Sequence, residues 1–347
     1  VIERDDQGKV KLSVIVPTYN RAHLVARAAN SVLSQLMIND ELIIVDDGST
    51  DDTEQVVRSM SDSRIRYIRH DRNAGAGAAR NAGTEAASGD LIGYLDSDDE
   101  WLPGKALLQR RFLEARPDIL FCFTDLGRDF DGKRHALSHG NLWHTDPRSW
   151  DEILSPPIRY STVADLPPGI ADFNVYVGDL YRGEMHTNYF STICVMIRRS
   201  DAADAIHFCE NVATFEDWEC LGRLTGRGQG AFLDYLGALQ HKHPGPRVTD
   251  ADWVARAESR LAVLRSVWGS DPTFLASHGE EYEDLIYQQQ ISKIRGLIVL
   301  GRMREARSEM RQLDRVPVIY RAASRIPEEV MSKLVALRHV LQGNRQV

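Results

Sequence analysis

At 347 residues, with 43% hydrophobic and 27% charged residues, the chain has the composition of a globular protein larger than one ordinary domain. Its net charge of −8 speaks against a broad nucleic-acid-binding face, which would be basic. Four cysteines (Cys122, Cys194, Cys209, Cys220) without Cys-x-x-Cys spacing, no apolar run of the ~18 residues a membrane span needs, and no signal-peptide pattern set the remaining limits. They lead to an expected cytoplasmic setting, with any membrane contact peripheral and at the inner face.

Strand and helix signals alternate over the first hundred residues. Leu12 to Pro17 reads as a strand stopped by proline, and Leu24 to Leu36 carries apolar residues at helical spacing. Glu41 to Val45 is a second strand, closed by Asp46-Asp47-Gly48-Ser49; Thr50 or Asp51 then caps a helix reaching Met60. Ile65 to Ile68, a small-residue helix over Ala76 to Ala87, and Leu91 to Leu95 complete the series. This order predicts a mostly parallel sheet with helices on its faces, and ligands in such sheets gather beyond the carboxyl ends of the strands. Residues 125–185 have weak periodicity and read as irregular. Thr192 to Arg198 reads as a strand and Glu216 to Leu224 as a helix. Helical spacing then dominates from about Asp250, through Tyr282 to Leu300 and Arg302 to Leu313, to an amphipathic stretch from Glu328 to Leu341. Three regions are expected: 1–110, 111–249 and a helical extension over 250–347.

The most telling segment is Leu91-Ile92-Gly93-Tyr94-Leu95-Asp96-Ser97-Asp98-Asp99. A buried strand that ends in three acids within four residues is costly unless a cation offsets their repulsion. Carboxylate oxygens at such a place suit Mg²⁺ or Mn²⁺, which often share their ligands with phosphates. A lone Asp-x-Asp is more often a solvated turn, and the weight here comes from Pro17 and Asp46-Asp47 standing at the ends of neighbouring strands. Gly75-x-Gly77 is a poor dinucleotide fingerprint, because Arg80 replaces the third glycine. Small residues there let a helix pack closely and let backbone N–H groups approach phosphate.

Val14 to Arg21, Ile43 to Asp51, Asn73 to Gly83 and Asp96 to Asp99, in that order and spacing, resemble the family 2 glycosyltransferases. The likeness is continuous over about residues 10–110 and resumes at Thr192 to Arg199 and Phe215 to Leu224. It implies an inverting, metal-dependent enzyme with the GT-A fold, a Rossmann-like mixed sheet flanked by helices. The implied substrates are a nucleotide-sugar donor, UDP-linked by preference, and a hydroxyl on a glycan, glycolipid or other acceptor. The common setting of the family is cell-surface polysaccharide or glycolipid assembly.

By the same resemblance, Pro17, Thr18, Tyr19, Arg21, Asp47, Asn73, Arg80 and Asp96 face the donor nucleotide. Asp47 accepts the N–H of a uracil-like ring, and Arg80 pairs with the pyrophosphate, with a surface salt bridge as its alternative. Asp98 is the most direct ligand of the divalent metal, Asp96 is its helper, and Asp99 is either a further ligand or, the plainer role, the cap of the next helix. His243, in His241-Lys242-His243-Pro244-Gly245, is a further metal candidate. In Phe215-Glu216-Asp217-Trp218-Glu219, Asp217 matches the general base, with Glu216 and Glu219 secondary; the plainer role of these acids is to complement a helix dipole. The usual Phe-Asp-Glu ahead of the base is here Phe208-Cys209-Glu210, a departure on the acceptor side. A sugar-nucleotide-binding scaffold, with the helical tail as a dimer contact or a membrane-lying helix, and a nucleotidyltransferase are the competing functions. The latter would need a Gly-rich basic loop where Pro17 to Arg21 stands.

Overall fold

The computed structural model describes residues 10–130, 133–136, 146–202, 204–210, 214–241, 253–323 and 325–326. The described residues form two compact units: residues up to 210 together with 216–241, and residues 214–215 together with those from 253 onward.

The first unit is built on one eleven-stranded sheet. Strands β1 (Leu12–Thr18), β2 (Glu41–Asp46), β3 (Ile65–Arg69) and β4 (Leu91–Tyr94) run parallel in the order β3-β2-β1-β4. Helices α1 (Val25–Leu33), α2 (Thr53–Ser59) and α3 (Ala76–Ala86) form the crossovers, as the alternating pattern predicts. β1, β2 and β4 are buried and read as near-continuous apolar runs, the usual character of strands covered on both faces, while β3 at the edge of the sheet is half exposed. Gly83 permits close packing of α3, since a Cβ there would lie 2.4 Å from Ile15.

Beyond β4 the sheet becomes mixed. With β5 (Glu100–Trp101), β6 (Phe121–Phe130), β7 (Lys133–Ala136), β8 (Ile158–Arg159), β9 (Asn174–Gly178), β10 (Val195–Arg198) and β11 (Gly230–His241) numbered in chain order, the path continues β10-β6-β11-β9-β8. β10 is antiparallel to both β4 and β6, while β11 is parallel to β6. This half departs from the expected irregular stretch over 125–185, because β6 runs ten residues and β9 seals an edge of β11. Phe121, Cys122, Phe123 and Thr124 are all buried, so β6 shows no alternation by which to find it. The expected strand over Thr192 to Arg198 is also shorter. Thr192–Cys194 is a 3₁₀ turn, closed by Cys194 N–H on the Ser191 carbonyl, and Trp101 Nε1 takes the Ile193 carbonyl at 3.0 Å.

The second unit contains helices Trp253–Val267, Pro272–Val299, Met303–Met310 and Val318–Ala323. Asp271 caps the second of these through Thr273 N and Phe274 N, with Pro272 in the first turn where its missing N–H costs nothing. Lys293 ties three helices together, reaching Glu258 at 3.0 Å and Glu309 at 2.8 Å. No described helix is long and apolar enough to cross a membrane. The amphipathic stretch from Glu328 to Leu341 lies outside the described residues, as does His243.

Candidate active site

Register brings the carboxyl ends of β1 and β2 side by side, with Pro17 opposite Val45 and Thr18 opposite Asp46. The chain leaves β1 through Asn20 at φ 52°, a left-handed conformation that asparagine tolerates. Asn20 is fixed there by giving its N–H to Ser49 Oγ (2.8 Å) and accepting Thr50 N–H (2.8 Å). Arg21 N–H is held by Thr53 Oγ1. This reversal leaves Tyr19 at 42% exposure, one of the few large exposed side chains of the unit, beside buried Thr18.

The two neighbouring acids of the β2 end separate in role. Asp46 is fully buried and holds its own turn, accepting Ser49 N–H (2.7 Å) and the Tyr67 hydroxyl. Asp47 accepts Ala74 N–H and Gly75 N–H (2.9 and 2.7 Å) and lies 2.8 Å from His70 Nδ1. Its carboxylate therefore anchors the loop into α3, with both oxygens engaged by Ala74, Gly75 and His70. The anchored loop exposes Asn73 and passes through Gly75 at φ +96°. Gly48, at φ +78°, lets the two loops close, since a Cβ there would lie 2.8 Å from the Arg72 carbonyl carbon.

Arg80, on α3, is buried and joins two acids distant in sequence. Nη2 donates to Asp96 Oδ1 at 2.8 Å and Nη1 to Glu216 Oε1 at 3.2 Å. The guanidinium lies 5.2 Å from the centre of the Phe208 ring, which meets Tyr94 edge-on. Asp96 followed by Glu216 holds the guanidinium charge more firmly than in water, despite the cost of burial. The salt bridge, the alternative to pyrophosphate pairing, is made by a buried guanidinium to two half-buried acids, and Arg80 reaches the acid motif and the helix Glu216–Thr225 at once.

Carboxylate oxygens of Asp96, Asp98 and Asp99 lie within 4.8 Å of one another. Asp99 does not take the plainer role of a helix cap: α4 (Lys105–Ala115) starts after Gly104, and Asp99 is buried in the acid cluster. Burial, then the charges of Asp96 and Asp98, push its carboxyl well above the ordinary range, although His241 N–H donates to it at 3.0 Å. Three crowded carboxylates with oxygen-only donors fit a hard divalent cation, which would offset the repulsion that adds to burial in raising Asp99. Arg27 of α1 donates to the Asp98 carbonyl and fixes the loop from outside. The His241 ring is engaged with Glu100 Oε2 at 3.1 Å.

Asp217 opens the helix Glu216–Thr225, where its Oδ1 accepts Trp218 N–H at 2.7 Å. The helix terminus favours an ionised carboxylate, yet burial, then Glu216, raises Asp217 to about 6 against the pull of Arg80. That value still leaves the group ionised at neutral pH and makes it a stronger base than an ordinary aspartate. Glu219 faces elsewhere, paired with Arg223 at 2.9 Å.

Two further residues carry no sequence signal of their own. Asn81 accepts Phe208 N–H (2.7 Å) and donates to the Phe208 carbonyl (2.9 Å), fastening the divergent 208–210 segment to α3. Glu184 is fully buried; one oxygen accepts Tyr189 N–H at 3.0 Å, and Oε1 has no hydrogen-bond partner among the described residues. Burial, followed by the nearby Asp217 charge, holds its carboxyl well above the usual range. Its backbone carbonyl takes Trp218 Nε1 at 2.8 Å, so it sits behind the helix that carries Asp217.

The family model for glycosyl transferase family 2 matches residues 13–175. The succinoglycan biosynthesis protein ExoO of Rhizobium meliloti is 30% identical over 298 residues, covering 86% of this chain and 75% of the relative. The Escherichia coli enzyme WfgD, a UDP-Glc:α-D-GlcNAc-diphosphoundecaprenol β-1,3-glucosyltransferase, is 42% identical over 98 residues, 28% of this chain and 39% of the relative. Uncharacterised Rickettsia glycosyltransferases match over only about a fifth of their own length. Among solved structures, S. aureus TarS residues 1–349 with UDP-GlcNAc superposes with a TM-score of 0.56 at 17% identity, covering 86% of this chain and 88% of that one. The fold is accordingly the GT-A-like mixed sheet flanked by helices, and the chain belongs to glycosyltransferase family 2.

Proposed function

We propose that this chain transfers a sugar from a nucleotide-sugar donor, UDP-linked by preference, to an acceptor hydroxyl with inversion, in the assembly of a cell-surface polysaccharide or glycolipid. The observation that carries the reading is the bridge from Asp96 through the buried Arg80 to Glu216, because it couples the acid cluster to the helix bearing Asp217. Pro17, Thr18, Tyr19 and Arg21 border the base-binding edge, and Asp47 and Asn73 shape its far wall. Asp98, Asp96 and Asp99 would hold Mg²⁺ or Mn²⁺, which when bound neutralises charge on the departing nucleoside diphosphate. Arg80 keeps Asp96 oriented rather than standing free for phosphate.

Asp217 takes the proton of the acceptor hydroxyl as that oxygen attacks the anomeric carbon from the face opposite the leaving group. The new C–O bond forms as the bond to the diphosphate breaks, and the electron pair leaves with the nucleotide. Glu216, locked on Arg80, holds the start of the helix in place during this step. The UDP-GlcNAc bound to TarS and the UDP-glucose named for WfgD support a uridine donor here. Calorimetry with UDP, with and without Mn²⁺, tests the donor reading; equal binding in both conditions overturns it. A panel of nucleotide sugars assayed for metal-dependent hydrolysis then identifies the sugar.

A further inference from the structure

The chain carries net charge −8, yet residues 302–326 contain seven arginines against three acids. Two of those acids are already engaged, Glu305 by Arg302 at 2.6 Å and Glu309 by Lys293 at 2.8 Å. Arg311, Arg315, Arg321 and Arg325 are all exposed. Among them the helix Val318–Ala323 presents Val318 at 77% and Ile319 at 71% exposure, while Val316 just before it is buried. The Arg321 Nε–H on the Val316 carbonyl (2.8 Å) fixes this helix to the segment that precedes it. Beside it lies a cleft of about 320 Å³ whose wall sets Arg307, Arg311 and Arg321 and a single acid, Asp314, among Met310, Leu313 and Val316.

A pair of adjacent aliphatic side chains held out in water, with exposed arginines on either side in the chain, matches the boundary between phosphate headgroups and acyl chains. We propose that Val318 and Ile319, with Arg311, Arg315, Arg321 and Arg325, dock this chain on an anionic phospholipid bilayer. A second copy of the chain is a poor occupant, since an isologous contact would set these arginines against one another. The surface is independent of the catalytic reading and can be tested without turnover.

The experiment is flotation of the full chain with vesicles of phosphatidylcholine alone and of phosphatidylcholine mixed with phosphatidylglycerol. Flotation only with the anionic vesicles, reversed by high salt, is expected. Arg311→Gln and Arg315→Gln should each weaken partition about fivefold, and Val318→Asp with Ile319→Asp should abolish flotation while leaving thermal unfolding and UDP binding unchanged. Equal flotation on both vesicle types overturns the proposal, as does flotation that the variants do not alter. A large fall in Tm for the double aspartate variant also overturns it, because the pair would then be covered within the protein. So does a dimer, seen by light scattering, that the same variant dissociates.

Discussion

The two halves of the sheet assemble their parts of the site by different physics. In the parallel half, β1, β2 and β4 deliver Thr18, Asp47 and Asp96 to one edge simply because parallel strands end on the same side. In the mixed half, no strand end supplies the candidate base. Asp217 is placed by side chains reaching across long stretches of sequence: Arg80 to Glu216, Asn81 to Phe208, and Trp218 to the Glu184 carbonyl. A site made from strand ends tolerates divergence in the loops between them, whereas one made from buried polar contacts depends on each partner.

The sharpest way to break this contrast is Asp217→Asn. Turnover should fall by about 10²–10⁴ while metal-dependent UDP binding persists in calorimetry; near-normal turnover would remove Asp217 as base. Arg80→Ala attacks the link between the halves. Leaving the half-buried Asp96 and Glu216 without their cation should cost about 1–3 kcal/mol in denaturant unfolding, and donor binding and turnover should fall together. If only one falls, the halves are not coupled through Arg80. Gly48→Ala probes the parallel half alone: a left-handed φ and the clash with Arg72 predict a loss of about 1–3 kcal/mol, with the pH profile of turnover unchanged.

That profile is a finer test. With Asp217 near 6, kcat/KM should rise about tenfold per pH unit below 6 and level off above it. A midpoint near the ordinary aspartate value would show that burial does not act on the base. Glu184→Gln gives the smallest effect. Glu184 is raised in the folded chain, so its contribution to stability is full at low pH and is lost as pH rises past the ordinary glutamate range. The variant, which has no proton to lose, should become progressively more stable relative to wild type as pH rises from 5 to 8. A difference that does not depend on pH would place Glu184 in a purely steric role.

The parallel half was legible in advance. Apolar runs gave β1 to β4 within a residue or two, and Asp96 and Asp98 stand together where the motif placed them. The motif alone leaves Asp99 between the acid cluster and a helix cap, because a carboxylate after a strand and before a helix looks the same whether it caps that helix or turns inward; the structure places it in the cluster. The mixed half was less legible. β6 and β11 are paired along most of their length and buried on both faces at the start, so neither shows a two-residue period, and the 3₁₀ turn at Thr192 depends on the distant Trp101 indole.

What the sequence alone determined is the chemistry carried at strand ends, since a strand's direction and its terminal residues are local properties. It could name Arg80 and Asp217 as important, but not the bond through Glu216 that joins them, nor the burial that pushes the Glu184 carboxyl upward. Those belong to the tertiary structure, because the energy of a buried charge is fixed by neighbours more than a hundred residues away in the case of Arg80 and Glu216, and by the exclusion of water that only folding provides.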